Sequence, residues 1–205
     1  MSSPLFKSDT LYIQRLLKSC GLYTGKLDGS FGPLTAKAED DFEKAFAAAA
    51  KKYGTFDLRT EGVIATLLPA AQIKARQFMN VKPPAGLTVK LLSGTRTYAE
   101  QNALYAQGRT SKGNRVTNAR GGSSNHNFGI AWDVGIFQGG LYYTGRNARE
   151  EKAYADLSKA VKAANLGLEW GGDWKTIVDM PHYQLPTGKT VSAVRALFEA
   201  GKTYV

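Results

Sequence analysis

The stretch from Ser124 to Ile136 constrains the fold most, because its alternation fits a strand with two unlike faces. Ile130, Trp132, Val134 and Ile136 fall on one face, and Ala131, Asp133 and Gly135 on the other. A carboxylate on an inner strand is costly unless it is paired, hydrogen-bonded or bound to a cation, and the small neighbours leave room for an ion. His126 precedes Asp133 by seven residues. Taken alone, that spacing also suits an ordinary hydrogen-bonded pair.

The second of the chain's two histidines adds to this picture. His182 opens a short strand-like Tyr-Gln-Leu segment, and Asp179 lies three residues before it across a turn containing Pro181. Two imidazoles, one carboxylate and a further carboxylate left over make the inventory of a catalytic zinc site with a nearby base. The helical H-E-x-x-H spacing is absent, so such a site is assembled from separated strands and loops.

The 205 residues suffice for one large domain or for a small one joined to a medium one. Of the formal net charge of +10, residues 81–205 carry +7, which points to an acidic partner: nucleic acid, an anionic membrane surface or a charged envelope. A single cysteine, Cys20, excludes an internal disulfide and is expected to be a buried apolar filler. Residues 1–7, Met-Ser-Ser-Pro-Leu-Phe-Lys, lack the apolar stretch of a signal peptide, and no run approaches a membrane span. A target beyond the cytoplasm therefore requires that something else open the way.

Along the chain, Ser8 or Asp9 is expected to cap a helix bearing Leu11, Tyr12, Leu16 and Leu17, with Gly21 as its stop. A turn-dense run from Leu22 to Gly32 follows, with Phe31 expected to plug the core, and a second helix begins at Pro33. A third helix is expected from Thr60 to Leu68 and a connecting helix from Ala70 to Met79. Lys82-Pro83-Pro84 marks a break before a strand at Leu87–Leu92, which leads to Arg96 at a strand end, where functional residues are commonly presented. Helices are predicted from Tyr98 to Gln107, Arg149 to Asn165 and Val191 to Ala200, and residues 108–123 read as a long mobile basic loop.

Two resemblances follow from quoted motifs. Tyr12-Ile13-Gln14-Arg15-Leu16-Leu17, Gly21-Leu22-Tyr23 and Asp28-Gly29-Ser30-Phe31-Gly32-Pro33-Leu34-Thr35 resemble the three-helix peptidoglycan-binding domain of cell-wall hydrolases. Ser93-Gly94-x-Arg96, Ser124-x-His126-x-x-Gly129-x-Ala131-x-Asp133 and Asp179-x-x-His182 resemble the zinc D,D-carboxypeptidase and L-alanyl-D-glutamate endopeptidase family. Trp170-Gly171-Gly172-Asp173-Trp174 is similar to its phage endolysin branch.

The resemblance implies one zinc ion on His126, Asp133 and His182, Asp179 as general base, and Arg96 as oxyanion stabiliser. Ser124, Gln101 and Trp174 are the expected substrate contacts. The fold class implied is α+β: a small three-helix domain over residues 1–69, a connection over 70–84, and over 85–205 a zinc peptidase domain with a central antiparallel sheet. The expected partner is bacterial peptidoglycan, with anionic envelope polymers beside it and without nucleic acid, and the expected form is a monomer. The expected location is the host cytoplasm before lysis and the periplasm or cell wall after it. A D-Ala-D-Ala carboxypeptidase, a non-catalytic zinc-containing binding protein and a glycan-cleaving lysozyme remain as alternatives.

Overall fold

The computed structural model describes residues 9–205; the Ser8 cap and the leader reading of residues 1–7 lie outside that range. Helix α1 (Thr10–Ser19) starts where the Asp9 carboxylate accepts a hydrogen bond from the Tyr12 N–H, and its apolar stripe buries Tyr12, Ile13, Leu16 and Leu17. Gly21, at φ +80°, ends it: the Gly21 and Leu22 N–H groups turn back to the Lys18 and Leu17 carbonyls. Helix α2 (Pro33–Tyr53) carries proline in its first turn, and Asp57 caps α3 (Leu58–Ile64). Helix α3 stops short of the expected Leu68, and α4 (Pro69–Met79) follows.

Phe31 does not plug the core. It is 58% exposed, beside an exposed Leu34. The space beneath its loop is filled by the Gln14 amide, which donates to Tyr23, Asp28 and Ser30 and accepts from the N–H groups of Asp28 and Gly29. Cys20 is only partly buried, although burial still pushes its thiol up to about 11.

The sheet is antiparallel throughout, in the order β1 (Thr88–Ser93), β2 (Ala131–Gln138), β5 (His182–Gln184), β4 (Glu169–Trp170). The short β3 (Leu141–Tyr143) pairs with the far end of β2. Trp132 and Tyr183 are register partners on one face, where Phe78 of α4 meets them with ring centroids 6.2 and 4.7 Å away. Each such fully buried aromatic contributes roughly 2–3 kcal/mol through the water it excludes.

Helix α5 (Tyr98–Ala106) has a reciprocal cap between Thr97 and Glu100, while α6 (Ala148–Ala163) and α7 (Val191–Glu199) are capped by Asn147 and Thr190. A second aromatic group joins Tyr12 of α1 to Tyr98, Phe128, Phe198 and Tyr204. One apolar cluster therefore runs continuously from α1 to the sheet and α7. No described helix is long and apolar enough to cross a membrane.

Residues 108–123 form an irregular loop held by specific bonds rather than a free one. Gln101 donates to Thr117 and Ala119, the Asn102 side chain accepts from the Gly121 N–H, and Arg109 donates to Tyr105, Thr117 and Asn118.

Candidate metal centre

The face of β2 and β5 opposite Trp132 and Tyr183 carries the chemistry. Asp133 and His182 are direct register partners, so the pleat puts both side chains on that face. On the other side of β2, the pairing with β1 slips between Leu91 and Ser93, which brings Ser93 opposite Asp133. This bulge redirects the chain so that the Gly94 carbonyl and Arg96 arrive beside the site.

His126 comes from a 3-10 turn (Asn125–Phe128) capped by Ser124, whose hydroxyl accepts from the His126 N–H. Gly129 ends the turn at φ +71°, and a Cβ there would lie 2.9 Å from Leu68. Glycine is thus required both for the backbone conformation and for the close approach of this turn to Leu68 and Leu16.

His126, Asp133 and His182 each offer a ligand atom, all within 4.8 Å of one another. The outer ring nitrogens define the tautomers. His126 Nδ1 lies 2.7 Å from the Gly94 carbonyl, which can only accept, so that nitrogen carries a proton. His182 Nε2 lies 2.9 Å from Gln184 Oε1, and Gln184 is oriented because its Nε2 donates to Glu169 while its Oε1 accepts from Asn125. In the neutral rings, both inner nitrogens are lone pairs.

They face each other at 3.2 Å and face Asp133 Oδ1 at 3.2 and 3.4 Å. Three acceptors with no hydrogen among them repel unless a cation stands between them. Two imidazole nitrogens and one carboxylate, with outer nitrogens anchored to carbonyl oxygens, fit zinc with a position left open.

Charge around the cluster follows from burial and proximity. Burial alone would raise the Asp133 carboxyl, but His126 and His182 hold it well below the usual carboxylate range. Burial lowers His126 despite Asp133, whereas His182 is raised against its burial by Asp133, Gln184 and Asp179. Asp179 is raised, first by burial and then by the negative charge of Asp133.

Asp179 is held where its N–H bonds the Gly171 carbonyl and its own carbonyl accepts from His182 N–H. Gly171 has no room for a side chain, since a Cβ would come within 2.4 Å of the Asp179 carbonyl oxygen.

Arg96 divides its guanidinium between Asp133 Oδ2 at 3.1 Å and Gln101 Oε1 at 2.9 Å. Gln101 is completely buried behind it, with its amide nitrogen bonded to Thr117 and Ala119. Gln101, read from the sequence as a substrate contact, here bonds and supports Arg96. The Ser124 hydroxyl is likewise used to cap the turn of His126. Trp174, 37% exposed, lies with its ring 4.9 Å from that of His182 and walls the site.

Sequence reasoning missed three supports. Gln184 was legible in principle, since two residues beyond His182 on a strand is the same face. Asn127 donates to the Arg96 carbonyl and accepts from Gly122 N–H, while the Tyr12 hydroxyl reaches the carbonyls of Asn127 (2.8 Å) and Arg96 (3.2 Å). No local pattern announces either.

Comparison with known proteins finds likenesses that fall on this region. Residues 117–185, which include all three candidate ligands and Asp179, match a peptidase family model described as D-alanyl-D-alanine carboxypeptidase. Over 103 residues, 49% of the chain, the sequence is 42% identical to the peptidoglycan L-alanyl-D-glutamate endopeptidase CwlK of Bacillus subtilis (strain 168). That match covers 62% of CwlK, less than two thirds of its length. A crystal structure of the Serratia marcescens L-Ala D-Glu endopeptidase ChiX aligns with a TM-score of 0.47 at 28% identity, covering 65% of this chain and 90% of that one.

Proposed function

We propose that this protein is a zinc-dependent L-alanyl-D-glutamate endopeptidase that cuts the stem peptide of peptidoglycan. The observation that carries the metal reading is the convergence of His126 Nε2, His182 Nδ1 and Asp133 Oδ1, with the outer nitrogen of each ring anchored to a carbonyl oxygen. The substrate reading is supported by the 42% identity to CwlK.

His126 Nε2, Asp133 Oδ1 and His182 Nδ1 would hold the ion. When bound, zinc supplies Lewis acidity and makes water acidic enough to yield a nucleophile near neutral pH. Asp179 accepts the proton of the attacking water and passes it to the leaving amine, and its raised carboxyl is suited to carrying that proton between the two events. Arg96, a fixed cation steadied by Gln101, stabilises negative charge developing on the scissile carbonyl oxygen. Trp174 lies against the His182 side of the site, where it can contact a bound peptide.

The helices ahead of residue 69 carry the motifs that resemble a peptidoglycan-binding domain, and in this reading they bring the enzyme to the wall. A phage endolysin acting at host lysis is the biological setting that fits.

Mass spectrometry of fragments released from purified peptidoglycan tests the proposal. A new L-alanine C-terminus paired with a D-glutamate N-terminus, lost on chelation and restored by zinc, is expected. Release of terminal D-alanine alone would establish the carboxypeptidase reading that the family description favours. Chelator-resistant glycan cuts would overturn the role of the metal site. Asp179→Ala is expected to keep zinc and fold while losing about a thousandfold in rate, and a near-wild-type rate would remove it from the mechanism.

A further inference from the structure

Between Gln101 and Trp132 the chain contains no aspartate or glutamate, yet it carries Arg109, Lys112, Arg115 and Arg120. Several surface cations elsewhere are matched with acids, Lys37 with Asp41, Lys44 with Asp40, Lys152 with Asp156, Lys162 with Asp173 and Arg195 with Glu199, while others such as Lys51, Lys82 and Lys175 stand alone among the described residues; what sets the loop apart is four cations with no acid near them in sequence. Among the described residues, none of the four loop cations pairs with a carboxylate. Lys112, Arg115 and Arg120 are exposed.

Two of these charges, Arg109 and Arg120, are also held in place. The Arg109 guanidinium lies over the Tyr105 ring at 3.9 Å, with its Nη groups bonded to Tyr105, Thr117 and Asn118, and Arg120 lies over the same ring at 4.9 Å. The hydrogen bond from Arg120, with the charges of Arg120, Arg109 and Arg115, holds the Tyr105 phenol below its usual value, as a concentrated positive field requires. The loop is joined to the catalytic residues, because Gln101 bonds Thr117 and Ala119 on one side and Arg96 on the other.

We propose that residues 105–120 form a binding surface for a base-free phosphodiester polymer of the bacterial envelope, with Arg109, Lys112, Arg115 and Arg120 meeting successive phosphates. Four cations between residues 109 and 120 fit repeated charges better than a single carboxylate. Tyr105 is the one aromatic side chain among residues 105–120, and two arginines lie over its ring, so the loop is richer in cations than in stacking surface and suits a partner read by its backbone charge. The envelope as the source of the polymer rests on the peptidoglycan-hydrolase reading, whereas the chemistry of the surface does not. Such a polymer would hold the enzyme at the wall with the metal centre beside the strand to be cut.

The test is a titration of the full chain with a synthetic glycerol-phosphate decamer and, in parallel, a thymidine decamer, at several salt concentrations. Lys112→Gln combined with Arg115→Gln removes two exposed side chains that make no hydrogen bond and leaves the metal centre untouched. Wild-type protein is expected to bind the glycerol-phosphate chain at low salt with an affinity that falls as salt rises. The double variant should bind about fivefold more weakly, with a log–log salt slope shallower by about 1.4, or about 0.7 for each lost phosphate contact.

Unchanged affinity in the double variant, or no binding by the wild type, would overturn the proposal. Tighter binding of the thymidine decamer would show that bases contribute and would overturn the assignment to the envelope. Hydrolysis of a soluble stem peptide, measured alongside, is expected to be the same in both proteins. A chain that binds the polymer but cuts no stem peptide would sink the enzymatic reading alone, and one that cuts but does not bind would sink this surface alone.

Discussion

The helical region and the sheet region each bury an arginine against a carboxylate, and they use the pair differently. Arg76, with its side chain fully enclosed, puts both Nη groups on Glu61 at 2.8 Å and adds the Gly54 carbonyl. Arg96 gives Asp133 a single bond and Gln101 another, while Asp133 turns its second oxygen to the two imidazoles. The first pair is closed on itself and anchors α3 to α4. The second is left open on the side where chemistry would occur. The same two functional groups thus make a structural clamp when their geometry is bidentate and a reactive site when it is divided.

Breaking the open pair should have the largest functional effect. Asp133→Ala removes one of three candidate ligands, so zinc content after dialysis and stem-peptide hydrolysis should both be lost; metal retained at one ion per chain would defeat the comparison. Breaking the closed pair should be felt in stability. Glu61→Ala strands a buried guanidinium and is expected to cost about 3–5 kcal/mol in chemical denaturation, with zinc affinity of the still-folded protein unchanged. Loss of zinc from folded Glu61→Ala protein would mean that the two clamps are not separate.

Smaller changes sharpen the same contrast. Gln184→Leu removes the acceptor that fixes the His182 tautomer and should weaken zinc binding by about 10- to 100-fold in a competitive chelator titration. The smallest effect is expected across the boundary between the regions. Tyr12→Phe deletes the hydroxyl that α1 sends to the Arg96 and Asn127 carbonyls, at a cost of about 1 kcal/mol. Expressed as rate, that is roughly a fivefold fall in kcat with KM little changed, and an unaltered kcat would show that the helices do not position the site.

Much of the ligand set was readable from residue types alone. Two histidines in the whole chain, each near an aspartate, leave few other ways to build a nitrogen–carboxylate cation site, and the alternation around Asp133 already gave that residue a face. Phe31 shows where such reasoning fails. A phenylalanine among glycines reads as a core plug, but Gln14, from the preceding helix, fills the space beneath its loop with hydrogen bonds and leaves the ring outside. Gln101 was readable as a residue near a helix start, but not the loop of residues 108–123 that bonds its amide, because that contact joins separate segments.

The sequence by itself determined the periodicities: the two faces of β2, the apolar stripe of α1, the helix stop at Gly21 and the donor types available for a cation. These are local, because they follow from the 2.0- and 3.6-residue repeats of the backbone and the conformational reach of single residues. Tertiary structure alone decided the β2–β5 register that sets Asp133 opposite His182, the bulge that delivers Gly94 and Arg96, and the seating of Gly129 against Leu68. A shift of one residue in that register would turn Asp133 or His182 to the wrong face, and no neighbour in sequence senses it. It is set by the packing of Trp132 and Tyr183 on Phe78, a contact among three separate segments that exists only once the chain has closed on itself.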